Sequence, residues 1–453
     1  MKKKLLAIIA AMAMVVAMVP SMVFADSTDD VAQIGSQGYP SLQAAIDAAD
    51  SGDEVKLLTD IEFDFADAVK TNESSYDVLI KVEDKSIKFN MNGKTIFVNH
   101  DDTVNRIYAV VYVADGASLE VFGDGKIDVN CNETTPKVAY TFWKRGTTGT
   151  LVINDGTYHM NASEDSIVYT NGSEIVTVKG GKFTLDSIGK GENGSPWIFN
   201  AKERNENHII VTGGTFNADV NHQYWVFEVQ APKDKALKDN GDGTWTVVPA
   251  EAYVDEWYYD KYCKEVGYAT LEEAVKAANT RGTDKTTNKA KITLLKDCQI
   301  SNTLHFVKKT EIELNDKKII WEGKEDTPIV SLDEGVTLNE FEPSREGYEF
   351  KGWYTDANYE NEWNWDFESL NSQTRATQEV INLYAKWEDD PAEPTIPGGE
   401  AAPDDTAVPE EPAEEPADEV DTGDNMNMAI PFGIAGLALV AMAAVVATRR
   451  RAN

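Results

Sequence analysis

The chain is poor in cysteine and in positive charge, and each shortage excludes something. Cysteine occurs only at Cys131, Cys263 and Cys298 among 453 residues. That small, odd number rules out a compact fold stapled by disulfides. Cys263 and Cys298 flank one predicted helix, a placement from which the two can pair. Lysine and arginine total 42 against 77 aspartates and glutamates, a formal charge of −35. Such a surface lacks the basic face that phosphate backbones require, so nucleic acid is excluded as a partner. Acidity of this kind keeps a protein soluble, with weak cation binding as a side effect. No metal site or cofactor is expected.

Long apolar runs are confined to the two end regions. Lys2, Lys3 and Lys4 precede a run from Leu5 to about Val19, broken by Pro20 and followed by Val23-Phe24-Ala25. This order reads as a signal peptide over 1–25. Residues 429–448 carry no charge and are followed by Arg449, Arg450 and Arg451. Twenty helical residues span roughly 30 Å, and flanking arginines stay on the cytoplasmic side. The expectation is a transmembrane helix over 429–448, a basic tail over 449–453, and an extracellular body. Residues 389–424 are rich in proline, glutamate and alanine without a base, a composition that cannot bury a core and forms an extended stalk.

Between these segments a unit repeats. It runs Leu119-Glu-Val-Phe-Gly-Asp-Gly125-Lys-Ile-Asp-Val-Asn130, and returns from Leu151, Val176 and Ile209, with a weaker copy from Ile87. The second glycines fall at 93, 125, 156, 181 and 214, a period of 25 to 33 residues. Each unit is two alternating strands around a corner where glycine tolerates positive φ. A third strand starts each period: Leu79-Ile80-Lys81, Val110-Val111-Tyr112, Thr141-Phe142-Trp143, Ile167-Val168-Tyr169, Trp197-Ile198-Phe199 and Trp225-Val226-Phe227. Three short strands per period with no long helix between them imply a three-sided solenoid. The pattern resembles the pectate-lyase-like right-handed β-helix, which sets the expected fold over 26–250.

An open solenoid needs its ends covered. Residues 41–50 form a short amphipathic helix with Ser41 as its cap, followed by the strand Glu54–Leu58. The same helix-then-strand passage returns at 267–296, so a second, truncated β-helix-like module is expected over 251–325. From Pro343 the pattern changes to Gly347-Tyr348-x-Phe350-x-Gly352-Trp353-Tyr354-x-Asp356, closing on Leu383-Tyr384-Ala385-Lys386-Trp387. This resembles the Listeria–Bacteroides repeat known from internalin B-repeats, a small β module of bacterial surface proteins, here over 336–388. Trp353, Tyr354, Tyr384 and Trp387 supply the core such a short module needs. The resemblance implies spacing or adhesion and brings no catalytic residue with it. Thr422-Gly423, ahead of the apolar span, is similar to the sorting signal cleaved by sortases between threonine and glycine. That pattern has Leu-Pro where Glu419 and Val420 stand. Two modes of anchoring stay open: sortase attachment to peptidoglycan, or a membrane tail.

Catalysis on this scaffold needs clustered carboxylates. The Asn-Thr-Asp, Gly-His-Gly and Arg-Ile-Lys boxes of the hydrolase relatives are absent. The nearest group, Asp101 and Asp102 with Arg106 beside His100, reads as a solvated loop. Asp239 to Gly243 reads as a hairpin turn rather than a calcium loop, because no glutamate follows at the right spacing. The aromatic residues carry more information. With Ile80, Val111, Phe142, Val168, Ile198 and Val226 facing in, alternation turns Tyr112, Trp143, Tyr169, Phe199 and Phe227 outward, with Trp197 and Trp225 beside them. Such a column either stacks on sugar rings or lies under a covering loop or the second module. The expected fold class is therefore all-β, and the expected protein a surface-displayed, non-catalytic adhesion or carbohydrate-binding protein of a Gram-positive-like bacterium. Its expected partners are a glycan or host surface. A polysaccharide lyase or glycoside hydrolase and a structural spacer are the alternatives.

Overall fold

Stacked copies of the repeat place chemically alike residues one above another. A computed structural model describes residues 30–390, except 73–74, 101–106, 132–137, 162–165, 173–174, 187–196, 203–208, 222–228, 259–261, 285, 288 and 366–379. The expected signal peptide, the expected transmembrane segment, Thr422 and Gly423 lie outside these residues, as does the expected stalk from residue 391.

The chain winds through three sheets in turn. In the first, Ile87, Leu119, Leu151, Val176 and Ile209 pair in parallel register as one column. In the second, Ile96, Ile127, Tyr158, Phe183 and Phe216 do the same. In the third the column is Ile80, Val111, Phe142, Val168 and Phe199. All fifteen side chains are buried, and burying each is worth roughly 1.5–3 kcal/mol. The body is thus a coil of parallel strands around one apolar core, mostly β with two α-helices and one short 3-10 helix among the described residues.

Glycine sets the corner between the first and second sheets. Gly181 has φ +99°, and a Cβ there would lie 3.0 Å from the Gly156 carbonyl oxygen of the turn below. That carbonyl accepts the Lys182 N–H at 2.8 Å, so turns are riveted corner to corner. Gly125 differs from the expectation. Its φ is not positive and Gly123 takes that role with φ +89°. Gly125 is small because Lys94 O would sit 2.5 Å from a Cβ.

The first turn is covered by helix α1 (Leu42–Ala48). Ser41 caps it by accepting the Ala44 N–H, and Leu42, Ala45 and Ile46 face the core. Its Gln43 amide occupies the open edge of the third sheet, accepting from Lys81 N–H at 2.8 Å and donating to Lys81 O at 3.1 Å. Lys85 Nζ donates to the carbonyls of Ile46, Asp47 and Ala49, where a cation complements the helix C-terminus.

At the far end the second sheet changes from parallel to antiparallel. Thr215–Phe216 pairs with Trp245–Pro249, which forms a hairpin with Lys235–Asp239. The expected turn is there: Asp239 Oδ1 accepts the Gly241 N–H and Asp242 Oδ1 accepts the Thr244 N–H. The same sheet continues into the antiparallel pair Ala252–Tyr258 and Tyr262–Tyr268. Helix α2 (Leu271–Thr280) follows, capped by Thr270. Then come two turns of coil, in which 290–293, 298–300 and 304–306 pair in parallel with 310–313, 319–321 and 330–332. Strand Val380–Asp389 closes this half antiparallel to Val330–Asp333 and to Tyr348–Tyr354. One core cluster runs from Ala252 to Trp387 and includes Trp321 and Trp353. Trp353 and Trp387 are buried as expected, whereas Tyr354 and Tyr384 are half-buried. Cys263 and Cys298 are both free thiols. No helix among the described residues is long and apolar enough to cross a membrane.

Candidate functional site

Aromatic residues gather on the outer side of the third sheet. Tyr112, Trp143 and Tyr169 pair in register in the outward column, and Trp143 lies 5.3 Å from Tyr112 and 6.3 Å from Tyr169 between ring centroids. Three tyrosines outside the expected column join them. Tyr76 approaches Tyr108 at 4.7 Å and Trp143 at 5.1 Å. Tyr140 meets Trp143 at 5.7 Å and stacks on Tyr169 at 4.4 Å with an interplanar angle of 11°. Arg145 adds a cation 5.6 Å from the Tyr76 ring centre.

A break in alternation explains how Tyr140 reaches this face. Thr141 Oγ1 points to Met160 Sδ at 4.0 Å and the Phe142 ring meets Tyr158 at 5.1 Å, so both consecutive residues face the core. The pairing steps from Tyr140–Ser166 to Phe142–Val168, skipping a position. Two adjacent inward residues leave Tyr140 and Trp143 both outside. Strict alternation places Tyr140 inside and misses it. The available signal was different: Tyr76, Tyr108 and Tyr140 recur every 32 residues.

The same irregularity corrects Phe199. It pairs with Val168 rather than with Tyr169, is 2% exposed, and packs at 5.4 Å on both Phe183 and Phe216. Asn200 takes the outward place. Phe199 is a core residue. Trp197 is half-buried, and its indole N–H is enclosed without an acceptor among the described residues, as is that of Trp143. Tyr112 is fully buried and Trp143 is 8% exposed, whereas Tyr76, Tyr108, Tyr140 and Tyr169 are half-buried. The surface a ligand would meet is therefore chiefly tyrosine, underlain by Trp143 and Tyr112. Trp225 and Phe227 lie outside the described residues, as do Asp101, Asp102, Arg106 and the His100 side chain.

A polar line crosses the outer side of the second sheet, and sequence reasoning did not bring it out. His159 Nδ1 lies 2.6 Å from Asp128 Oδ1, and Nε2 lies 2.9 Å from Asp186 Oδ1. Lys126 Nζ holds the other Asp128 oxygen at 2.5 Å. An imidazole donates to two carboxylates at once only when protonated. Burial pushes the His159 pKa down, but the hydrogen bonds it donates to Asp186 and Asp128 outweigh this, and the net shift is upward. Burial alone would raise Asp128, yet Lys126 and His159 hold its carboxyl below the usual range. The residues sit one rung apart because Asp128 and His159 pair directly. Among the described residues, no group of three or more histidine, cysteine, aspartate or glutamate side chains is arranged to hold a metal ion.

Residues 319–386 match the Listeria-Bacteroides repeat domain. The match begins earlier than the expected 336, at the strand Ile319–Trp321 of the second coil, whose Trp321 shares a core with Trp353 and Trp387. No curated protein and no solved structure matches the chain. The repeat domain suggests a surface-associated bacterial protein.

Proposed function

We propose that the chain is a surface-displayed bacterial protein that binds glycans without cleaving them, through the tyrosine-rich outer face of its third sheet. The carrying observation is the continuous aromatic cluster of Tyr76, Tyr108, Tyr140, Trp143 and Tyr169, with ring centroids 4.4 to 6.3 Å apart. Rings at this spacing offer flat apolar area with hydroxyl groups at the rim, which suits sugar rings. In this reading the coil is right-handed and pectate-lyase-like, as connections between parallel strands generally are right-handed. The N-terminal segment directs export, and the C-terminal segment holds the body at the membrane or the wall.

The polar line on the second sheet is the feature that favours an enzyme instead. A glycoside hydrolase needs a carboxylic acid whose pKa is raised, so that it can donate a proton. Asp128 is shifted the opposite way, and one oxygen of each aspartate is engaged by His159. This favours binding over catalysis.

Immobilised plant, mucin and host glycans should retain the full chain without releasing products. The double substitution Tyr140→Ala and Tyr169→Ala should weaken retention at least tenfold with circular dichroism unchanged, because a buried contact aromatic is typically worth 2 kcal/mol or more. Cleavage products would establish the enzyme reading. Absence of retention on every glycan would leave the spacer reading.

A further inference from the structure

Two tyrosines of the third sheet form a stacked pair across neighbouring turns of the coil. Tyr140 belongs to the strand Val138–Lys144 and Tyr169 to Ser166–Thr170, which pair in parallel. The consecutive inward residues Thr141 and Phe142 leave Tyr140 on the outer side. There its ring meets that of Tyr169 at 4.4 Å between centroids, with the two planes only 11° apart. Other close tyrosine pairs are set differently. Tyr76 and Tyr108 are tilted by 53°, and Tyr354 and Tyr359 stand at 77°. Tyr140 and Tyr169 are both half-buried, so an oxidant at the surface reaches them while their neighbours restrain the rings.

Near-parallel stacking favours one reaction of phenols. A tyrosine that loses an electron and a proton becomes a phenoxyl radical. Its unpaired electron occupies the ring π orbitals, with a large share on the carbons ortho to oxygen. Those orbitals project perpendicular to the ring plane. In the Tyr140–Tyr169 pair they point at each other across the gap, whereas rings tilted by 53° or 77° turn them aside. The fold also replaces a chance encounter between two radicals by a pair already held together, which makes an otherwise bimolecular step efficient.

We propose that Tyr140 and Tyr169 are a modification site, an oxidative dityrosine cross-link that staples two adjacent turns of the coil. The oxidant is a haem peroxidase supplied with hydrogen peroxide. It takes one electron from each phenol, and each hydroxyl proton passes to water. The two radicals join ortho carbon to ortho carbon, and each ring regains aromaticity as its ortho hydrogen moves to oxygen. One hydrogen peroxide becomes two waters, and the protein loses two hydrogens in all. The link joins residues 29 positions apart, and it restricts the unfolded chain as a disulfide does. In a chain with three cysteines it supplies the covalent tie that disulfides give many secreted proteins. The chemistry is independent of glycan binding, although it falls on the same face.

The test treats the dilute full chain in detergent with a haem peroxidase and hydrogen peroxide, and reads dityrosine fluorescence and a tryptic peptide map. The expected product is a monomer in which peptide 138–144 is joined to peptide 146–179 with the loss of two hydrogens. Tyr140→Phe and Tyr169→Phe, which keep the ring but lack the hydroxyl, should each abolish the joined peptide with circular dichroism unchanged. Tyr359→Phe, in a pair that is not stacked, should leave it in full. Absence of the joined peptide, links only between other tyrosines, or dityrosine found only between two molecules overturns the proposal. So does a joined peptide that persists in either phenylalanine variant. The map of the parent chain identifies the linked residues by itself, so a variant that fails to fold does not remove the test.

Discussion

Phe199 gives the sharpest test of how the coil is built, because a shift of one position would place it on the opposite side of the sheet. In the register observed, its ring fills the space between Phe183 and Phe216, at 5.4 Å from each. Replacing a buried phenylalanine by alanine removes its transfer free energy and leaves a cavity, together about 3–5 kcal/mol. Two lost aromatic contacts belong near the upper part of that range, since each is worth about 0.5–1.5 kcal/mol. For a cooperative unit of 150–250 residues, 4 kcal/mol lowers the melting temperature by roughly 8–16 °C. Thermal and urea unfolding followed by circular dichroism measures this directly. Tyr169→Ala is the control: half-buried and outward, it should cost about 1–2 kcal/mol and weaken glycan retention instead. If Phe199→Ala leaves stability within about 1 kcal/mol of the parent and Tyr169→Ala collapses it, the register is wrong by one residue and the aromatic face goes with it.

Two further outcomes follow from buried groups and corners. Burial pushes Lys264 down to about 8, against the pull of Glu256 and Asp219; it faces Glu256 across the hairpin, and Tyr268 donates to that carboxylate. The unfolded chain therefore binds more protons than the native one between pH 8 and the ordinary lysine value, and stability should rise with pH by about 2–3 kcal/mol from pH 7 to 10. The double variant Glu256→Gln with Lys264→Met should lack that rise in urea titrations, and an identical slope would refute the assignment. Gly181→Ala should cost roughly 1–2 kcal/mol for its positive φ alone, with more from the crowded Gly156 carbonyl. A neutral effect on the urea midpoint would contradict the corner geometry.

The coil was readable because its core residues recur at nearly fixed intervals around glycine, and repetition makes one correct strand assignment serve all turns. What alternation could not show was the pair of consecutive inward residues at Thr141 and Phe142, and that local break decided which aromatics face out. Tyr112, Trp143 and Tyr169 share one column because they follow the break; Tyr140 precedes it, so strict alternation misses it. Phe199 was misplaced because Ile198, also apolar, offered an equally good inward choice. The line Asp128, His159 and Asp186 depends on vertical neighbours 27 and 31 residues apart, which no local pattern reports.

A stack of parallel strands has no natural length, since each turn leaves an edge fit to receive the next. Here the hairpin 235–249 turns antiparallel at that edge in the second sheet, and the Gln43 amide occupies part of the edge at the opposite end. Copies of the molecule are thereby discouraged from joining end to end into fibres, a hazard for any protein displayed at high local density.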